Sequence, residues 1–171
     1  MVFPHIDPPL PIVLATLNAK YIHASLGLRY LLANMARHGG SDLRARTVLR
    51  EFTIARKPQE VAQELLALHP AIIGLGVYIW NVTQTCEVVR LLKAARPELK
   101  VVLGGPEVSH EADQQEIVRL ADHVITGWGD VSFPKLCRAL LHGPQPLMKV
   151  MAGEQPSLDQ IDLPYGEYSE D

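Results

Sequence analysis

Cysteine is scarce in this chain: Cys86 and Cys137 are the only two in 171 residues, and no Cys-x-x-Cys spacing offers a metal site or a redox pair. Each lies in a stretch of helical periodicity, so both read as buried, reduced core thiols. No apolar run is long enough to span a bilayer, and the start Met-Val-Phe-Pro-His-Ile-Asp lacks the basic segment and apolar block of a signal peptide. The expected location is cytoplasmic. Runs of like charge are missing too. Sixteen basic and 19 acidic residues leave a formal net charge of −3, with no footprint for nucleic acid or an anionic membrane. A small-molecule partner is favoured.

Missing motifs remove several familiar chemistries. There is no Gly-Lys-Ser/Thr phosphate loop, and no Gly-x-Gly-x-x-Gly follows the first apolar run. A phospho-acceptor receiver would need acidic residues where Ala15-Thr16-Leu17 and Val77-Tyr78 stand. No nucleophile elbow or Ser-His-Asp order occurs, and lone histidines such as His69 and His142 read as surface or capping residues.

What is present is a 47% hydrophobic chain, enough for one well-buried domain and some tail. Proline-rich segments sit before Ile12, after His142 and near the C-terminus. Between the first two, apolar runs alternate with helical periodicity. Ile12 to Thr16 is a strand covered on both faces. Leu28, Leu31, Leu32 and Met35 mark one helix face, which ends at Gly39-Gly40. "ARTVLREFTI" reads as a more polar edge strand, and a helix opened by Pro58 follows with Val61, Leu65 and Leu68. "AIIGLGV", "KVVLGG" and "HVITG" are three further strands. Helices carrying Val88 to Ala95, Ile117 to Ala121 and Phe133 to Leu140 follow them in turn. Such alternation with short connections predicts parallel strands joined by right-handed crossovers, in the order 2-1-3-4-5. A ligand then belongs in the crevice outside the carboxyl ends of strands 1, 3, 4 and 5.

Four loops reach that rim. The first, Asn18 to Gly27, is long for a strand-to-helix connection and contains Tyr21, His23 and Ser25. Ser25 can cap the helix, and Gly27 can allow close packing of helix on sheet. After strand 3, Val77 leads to Tyr78 and Trp80, which can serve as flat walls for a ring system or cover the end of the core. Asn81 with Gln84 three residues on resembles a capping box. After strand 4, Gly104 and Gly105 precede Pro106 and Glu107, and after strand 5 come Gly127, Trp128, Gly129 and Asp130. Paired glycines at a strand end let a ligand approach the backbone, and Asp130 or Ser132 is the natural cap of the last helix.

As a set, these residues resemble the N-terminal cobalamin-binding domain of radical S-adenosylmethionine enzymes that also carry cobalamin. The likeness covers roughly Ile12 to His142. It rests on the early strand followed by "ASLGLRYLLANM", on "VVLGGPEVS", and on "VITGWGDVSFPKLCRALL", similar to the family's Gly-Glu-Gly-Glu loop and Phe-x-x-Leu helix. Trp128 and Asp130 stand where that loop has glutamates. The tail "SLDQIDLPYGEY" resembles the linker ahead of the radical domain.

The resemblance implies a flavodoxin-like, Rossmann-like doubly wound α/β domain with a parallel five-stranded sheet. The corrin would lie over the carboxyl ends of the strands and the nucleotide tail alongside the sheet. It implies an N-terminal extension at 1–11, a cobalamin-binding domain at 12–143, and a linker at 144–171 towards a radical domain that lies outside this chain. The three-cysteine cluster motif Cys-x-x-x-Cys-x-x-Cys is absent here, so the iron-sulfur cluster and S-adenosylmethionine belong to that other domain. This chain alone is then expected to be non-catalytic, the module of a methyltransferase or related radical enzyme. Cobalamin proteins that ligate cobalt through the protein use Asp-x-His-x-x-Gly in the first loop. Tyr21 occupies the acidic position and Gly27 comes one residue late, so His23 is expected to be a corrin-facing wall and not an axial ligand. Two other readings of the same loops remain: a nucleotide- or phosphate-binding domain, and a docking domain without cofactor.

Overall fold

The computed structural model describes residues 9–20 and 23–168. Most of the expected extension at 1–11, and Tyr21 in the first loop, lie outside the described residues. The sheet is parallel throughout, in the order β2-β1-β3-β4-β5-β6. Its strands are β1 (Ile12–Asn18), β2 (Thr47–Thr53), β3 (Ile72–Gly76), β4 (Lys100–Gly104), β5 (His123–Thr126) and β6 (Val150–Ala152). The helices are α1 (Leu26–Gly39), α2 (Ser41–Ala45), α3 (Pro58–Ala67), α4 (Val82–Ala95), α5 (Glu116–Leu120) and α6 (Ser132–His142).

Local chemistry accounts for most of these boundaries. The Leu28 amide donates to Ser25 Oγ at 3.3 Å, so Ser25 caps α1 as expected. The helix stops at Gly40, whose φ of 107° suits glycine, and α2 follows immediately. Pro58 opens α3 with a ring that needs no helical donor. All seven residues of β1 are buried, as befits a central strand covered on both faces.

Strand alternation divides the interior in two. Val13, Ala15, Leu17, Ile73, Leu75 and Leu103 pack under α3, α4 and α5. Their neighbours Ile12, Leu14, Ile72, Val102 and Ile125 pack under α1 and α6, where Cys137 is fully buried. Burial pushes the Cys137 thiol up, which keeps it protonated and inert. Cys86 is only half-buried, at the edge of the other core.

The sheet has six strands where the sequence suggests five. In the stretch read as linker, Val150, Met151 and Ala152 pair in parallel with Val124, Ile125 and Thr126. The Val124 amide donates to Lys149 O at 2.8 Å and the Gly153 amide to Thr126 O at 2.7 Å. A three-residue strand carries no readable periodicity, but the edge of β5 supplies unpaired backbone groups that it satisfies. The chain beyond β6 lies along α1, with single 3-10 turns at Leu158–Gln160 and Pro164–Glu167. Among the described residues, no helix is long and apolar enough to cross a membrane.

Candidate functional site

A cavity of about 480 Å³ opens at the carboxyl ends of β3, β4 and β5, on the side of the sheet covered by α1 and α6. Its floor is Gly74, Gly76, Val102 and Gly104; Leu28 and Leu31 of α1 and Phe133 of α6 form its sides. The loop Gly127 to Asp130 and the tail residues Leu158, Ile161 and Leu163 complete it.

Absent side chains make this space. Positions 74 and 76 share one face of β3, and 102 and 104 share the same face of β4. A Cβ on Gly74 would lie 2.8 Å from the Phe133 ring, so that glycine admits the aromatic side chain of α6. A Cβ on Gly104 would meet nothing nearer than Ile125 O at 3.8 Å, so there the floor is open. Gly105 has a different reason: its φ is 111°, and a Cβ would sit 2.5 Å from Val77 O. Two backbone bonds lock that approach, from the Val77 amide to Gly104 O at 2.8 Å and from the Glu107 amide to Val77 O at 3.3 Å.

Of the residues singled out from the sequence, Gly27, Tyr78, Gly104, Gly105, Gly127, Trp128, Gly129 and Asp130 line the cavity together. Trp80 stands just outside, stacked on Tyr78 with ring centroids 4.5 Å apart and planes 8° from parallel. Its indole donates to Leu17 O at 3.3 Å, which ties the pair to the end of β1. Pro106 and Glu107 form the turn beyond Gly105 and do not line the space.

Asn81 does not complete the capping box with Gln84. It is fully buried, and its amide donates to Leu17 O at 3.0 Å, Gly76 O at 3.2 Å and Thr16 Oγ1 at 3.3 Å. Its Oδ1 accepts from the Tyr78 amide at 2.9 Å. The ends of β1 and β3 leave carbonyls facing a dry interior, and this side chain satisfies them. Asn81 is therefore a clasp that fixes the backbone at Tyr78. The expected cap of α6 also differs: Val131 holds the cap position with no side-chain bond, and Ser132 Oγ instead accepts from the Glu154 amide at 2.8 Å.

In the first loop, Asn18 Nδ2 donates to His23 O at 2.7 Å and to Glu51 Oε1 at 3.0 Å, while Glu51 also accepts from the Ser25 amide and pairs with Arg29 at 2.7 Å. Burial pushes the Glu51 carboxyl up, but Arg29, Asn18 and the Ser25 amide together hold it below its ordinary value. Asn18 and Ser25 thus brace the loop from behind, and His23 is exposed and outside the cavity lining. Among the described residues Asp130 is the one ionisable carboxyl on the lining, and burial raises its pKa against smaller opposing effects from its own amide and His38.

Sequence reasoning passed over Gly74, Gly76, Phe133 and the tail. The first two had a usable signal, since Gly-Leu-Gly within a strand bares one face at period two.

The cavity suits a largely uncharged ligand group, because among the described residues its lining is glycine, aliphatic and aromatic with a single carboxyl. The nucleotide base of a cobalamin fits that description. The family model described as B12 binding domain matches residues 12–137. No curated protein matches the chain. Among solved structures, the chain is similar to a novel cobalamin-binding protein from Desulfitobacterium hafniense, at 22% identity and a TM-score of 0.53, over 78% of this chain and 60% of that one. It is also similar to a CheY-like protein, TadZ, from Pseudomonas aeruginosa, at 19% identity and a TM-score of 0.51, over 80% of this chain and 98% of that one. At such identities these likenesses show the shared flavodoxin-like and CheY-like α/β fold. The family match spans most of the chain, from β1 into α6, and so includes the strand ends and glycine loops that build the cavity. The chain belongs to the B12-binding domain family, and cobalamin is its cofactor.

Proposed function

We propose that this chain is the cobalamin-holding module of a radical S-adenosylmethionine enzyme that carries out methyl transfer or a related radical reaction in the cytoplasm. The observation that carries the binding half is the cavity beside β3 and β4, bared by Gly74, Gly76 and Gly104 and lined, among the described residues, by one carboxyl only. The nucleotide tail enters there. The corrin would rest over the strand ends against Tyr78, Trp80 and the first loop, with His23 as one of its walls. Cobalamin supplies one-carbon and radical chemistry at its cobalt. The residues of this chain bind, orient and shield it: Asn81 sets the Tyr78 backbone, Gly105 lets the β4 loop close on Val77, and Glu51 braces the first loop.

The tail's likeness to the linker ahead of a radical domain supports the second half of the reading. In it, the three-cysteine cluster and S-adenosylmethionine sit on a domain that follows in cis. Residues 12–143 together with β6 then form the module, and the chain beyond leads to the catalytic domain.

Titrating hydroxocobalamin into the purified chain tests the binding half. The expected result is a perturbed corrin spectrum and pigment retained through desalting. An unchanged spectrum, with melting shifts from flavin mononucleotide or nucleotides instead, overturns it in favour of a nucleotide-binding domain. The radical half is tested by the reading frame beyond Asp171, where a Cys-x-x-x-Cys-x-x-Cys motif is expected.

A further inference from the structure

We propose that residues 153–168 are not a passive connection but a strap that forms one wall of the cofactor site and closes on the nucleotide tail. This rests on the cobalamin reading above and concerns a segment beyond the family match, which ends at residue 137.

The strap is registered at both ends on elements that bound the cavity. At its root, Gly153 passes so close to the Gly127 loop that a Cβ would lie 1.7 Å from Trp128 O, and the Glu154 amide donates to Ser132 Oγ at the start of α6. Further on it is bonded to α1. Asn34 is fully buried in the middle of that helix, a poor place for an amide without partners. Its side chain makes a reciprocal pair with one strap residue: Nδ2 donates to Asp162 O at 3.0 Å, and Oδ1 accepts from the Asp162 amide at 2.8 Å. Arg37 bonds Asp162 Oδ1 at 3.2 Å and also Asp159 O; His38 Nε2 meets Gln160 O at 2.8 Å. Near the end, Arg44 pairs with Glu167 at 2.7 Å and Arg29 lies over the Tyr168 ring at 4.7 Å.

Between these anchors the strap turns Leu158, Ile161 and Leu163 to the cavity. Leu158 is 92% exposed and Leu163 is 61% exposed although both line it. Large aliphatic side chains held at a cavity mouth by a bonded backbone, yet left in water, are positioned to be covered by what enters. Their partner is the flat, uncharged face of a heterocyclic base.

The test uses the full chain with hydroxocobalamin. In the double variant Leu158→Ser/Leu163→Ser, both positions are exposed before binding, so apo melting is expected to match the parent. Its cobalamin dissociation constant is expected to rise about tenfold or more, which is about 1.4 kcal/mol. In the parent chain, cleavage after Asp159 and Asp162 by an acid-specific endopeptidase is expected to slow severalfold on adding hydroxocobalamin. Equal affinity of parent and double variant, or cleavage indifferent to hydroxocobalamin in a parent that binds it, overturns the strap and leaves the cobalamin reading standing. Failure of the parent chain to bind hydroxocobalamin overturns both.

Discussion

Under α3, α4 and α5, strands β3 and β4 present Ile73, Leu75, Val101 and Leu103; under α1 and α6 the alternate residues of the same strands are Ile72, Gly74, Gly76, Val102 and Gly104. The backbone is shared and the register is common, so the difference lies entirely in side chains. Each aliphatic residue buried on the first face contributes about 1.5–3 kcal/mol relative to exposure. The glycines on the second face forgo that contribution and leave a cavity at the strand ends. Both faces carry a core, but the first is filled to the strand ends whereas the second leaves ligand space there, and a single peptide layer separates the two. The divide is not absolute, since Phe133 reaches over Gly74 and fills part of the bared face.

The largest expected effect comes from damaging the filled face. Leu103→Ala removes a buried side chain that cannot be replaced by neighbours, and should lower unfolding free energy by about 2–5 kcal/mol in urea titration. Leu103 also borders the cavity, but its side chain belongs to the opposite core, so well below the melting temperature cobalamin affinity should fall far less than on filling the floor at Gly104.

One residue further on, Gly104→Leu asks the opposite question. Its Cβ has room, so melting should move little, while the new side chain occupies the cavity floor. Cobalamin affinity should fall at least tenfold, about 1.4 kcal/mol, in a corrin absorbance titration. Parent-like affinity in this variant would place the ligand elsewhere and remove the functional meaning of the two-face contrast.

The smallest effect concerns Asp130 at the cavity rim. Its pKa is raised in the fold, so the folded chain holds this proton more tightly than the unfolded one. Ionisation then costs stability as pH rises from the ordinary carboxylate range through the raised value. Asp130→Asn should therefore flatten the stability profile in that window and leave the variant slightly more stable above it. Solvent screening at this half-exposed position keeps the change below about 1 kcal/mol. A comparison of urea midpoints below and above the window measures it, and a larger gain on the alkaline side would mean a drier cavity.

Much of this was legible in residue order. The apolar runs at Ile12, Ile72 and Val101, the caps at Ser25 and Gly40, and Pro58 as a helix start each follow from local chemistry that neighbours cannot easily override. The rim glycines were legible too, because their placement after strands needs only the topology. Other features were not. Asn81 and Gln84 have the spacing of a capping box, yet Asn81 turns inward because distant carbonyls of β1 and β3 require its amide. Val150 to Ala152 pair with β5 only because that edge is free, and the bond between Asn34 and Asp162 joins residues with no sequence signal linking them.

By itself, the sequence determined the alternation of strands and helices, the parallel sheet and the rim at which the cavity opens, because hydrophobic period and turn chemistry act over a few residues. Only the tertiary structure decided which strand face is bared, how large a cavity results and that the tail beyond β6 lines it. Those outcomes depend on side chains and backbone groups far apart in the chain meeting in one place, where each is satisfied by a partner that local pattern does not name.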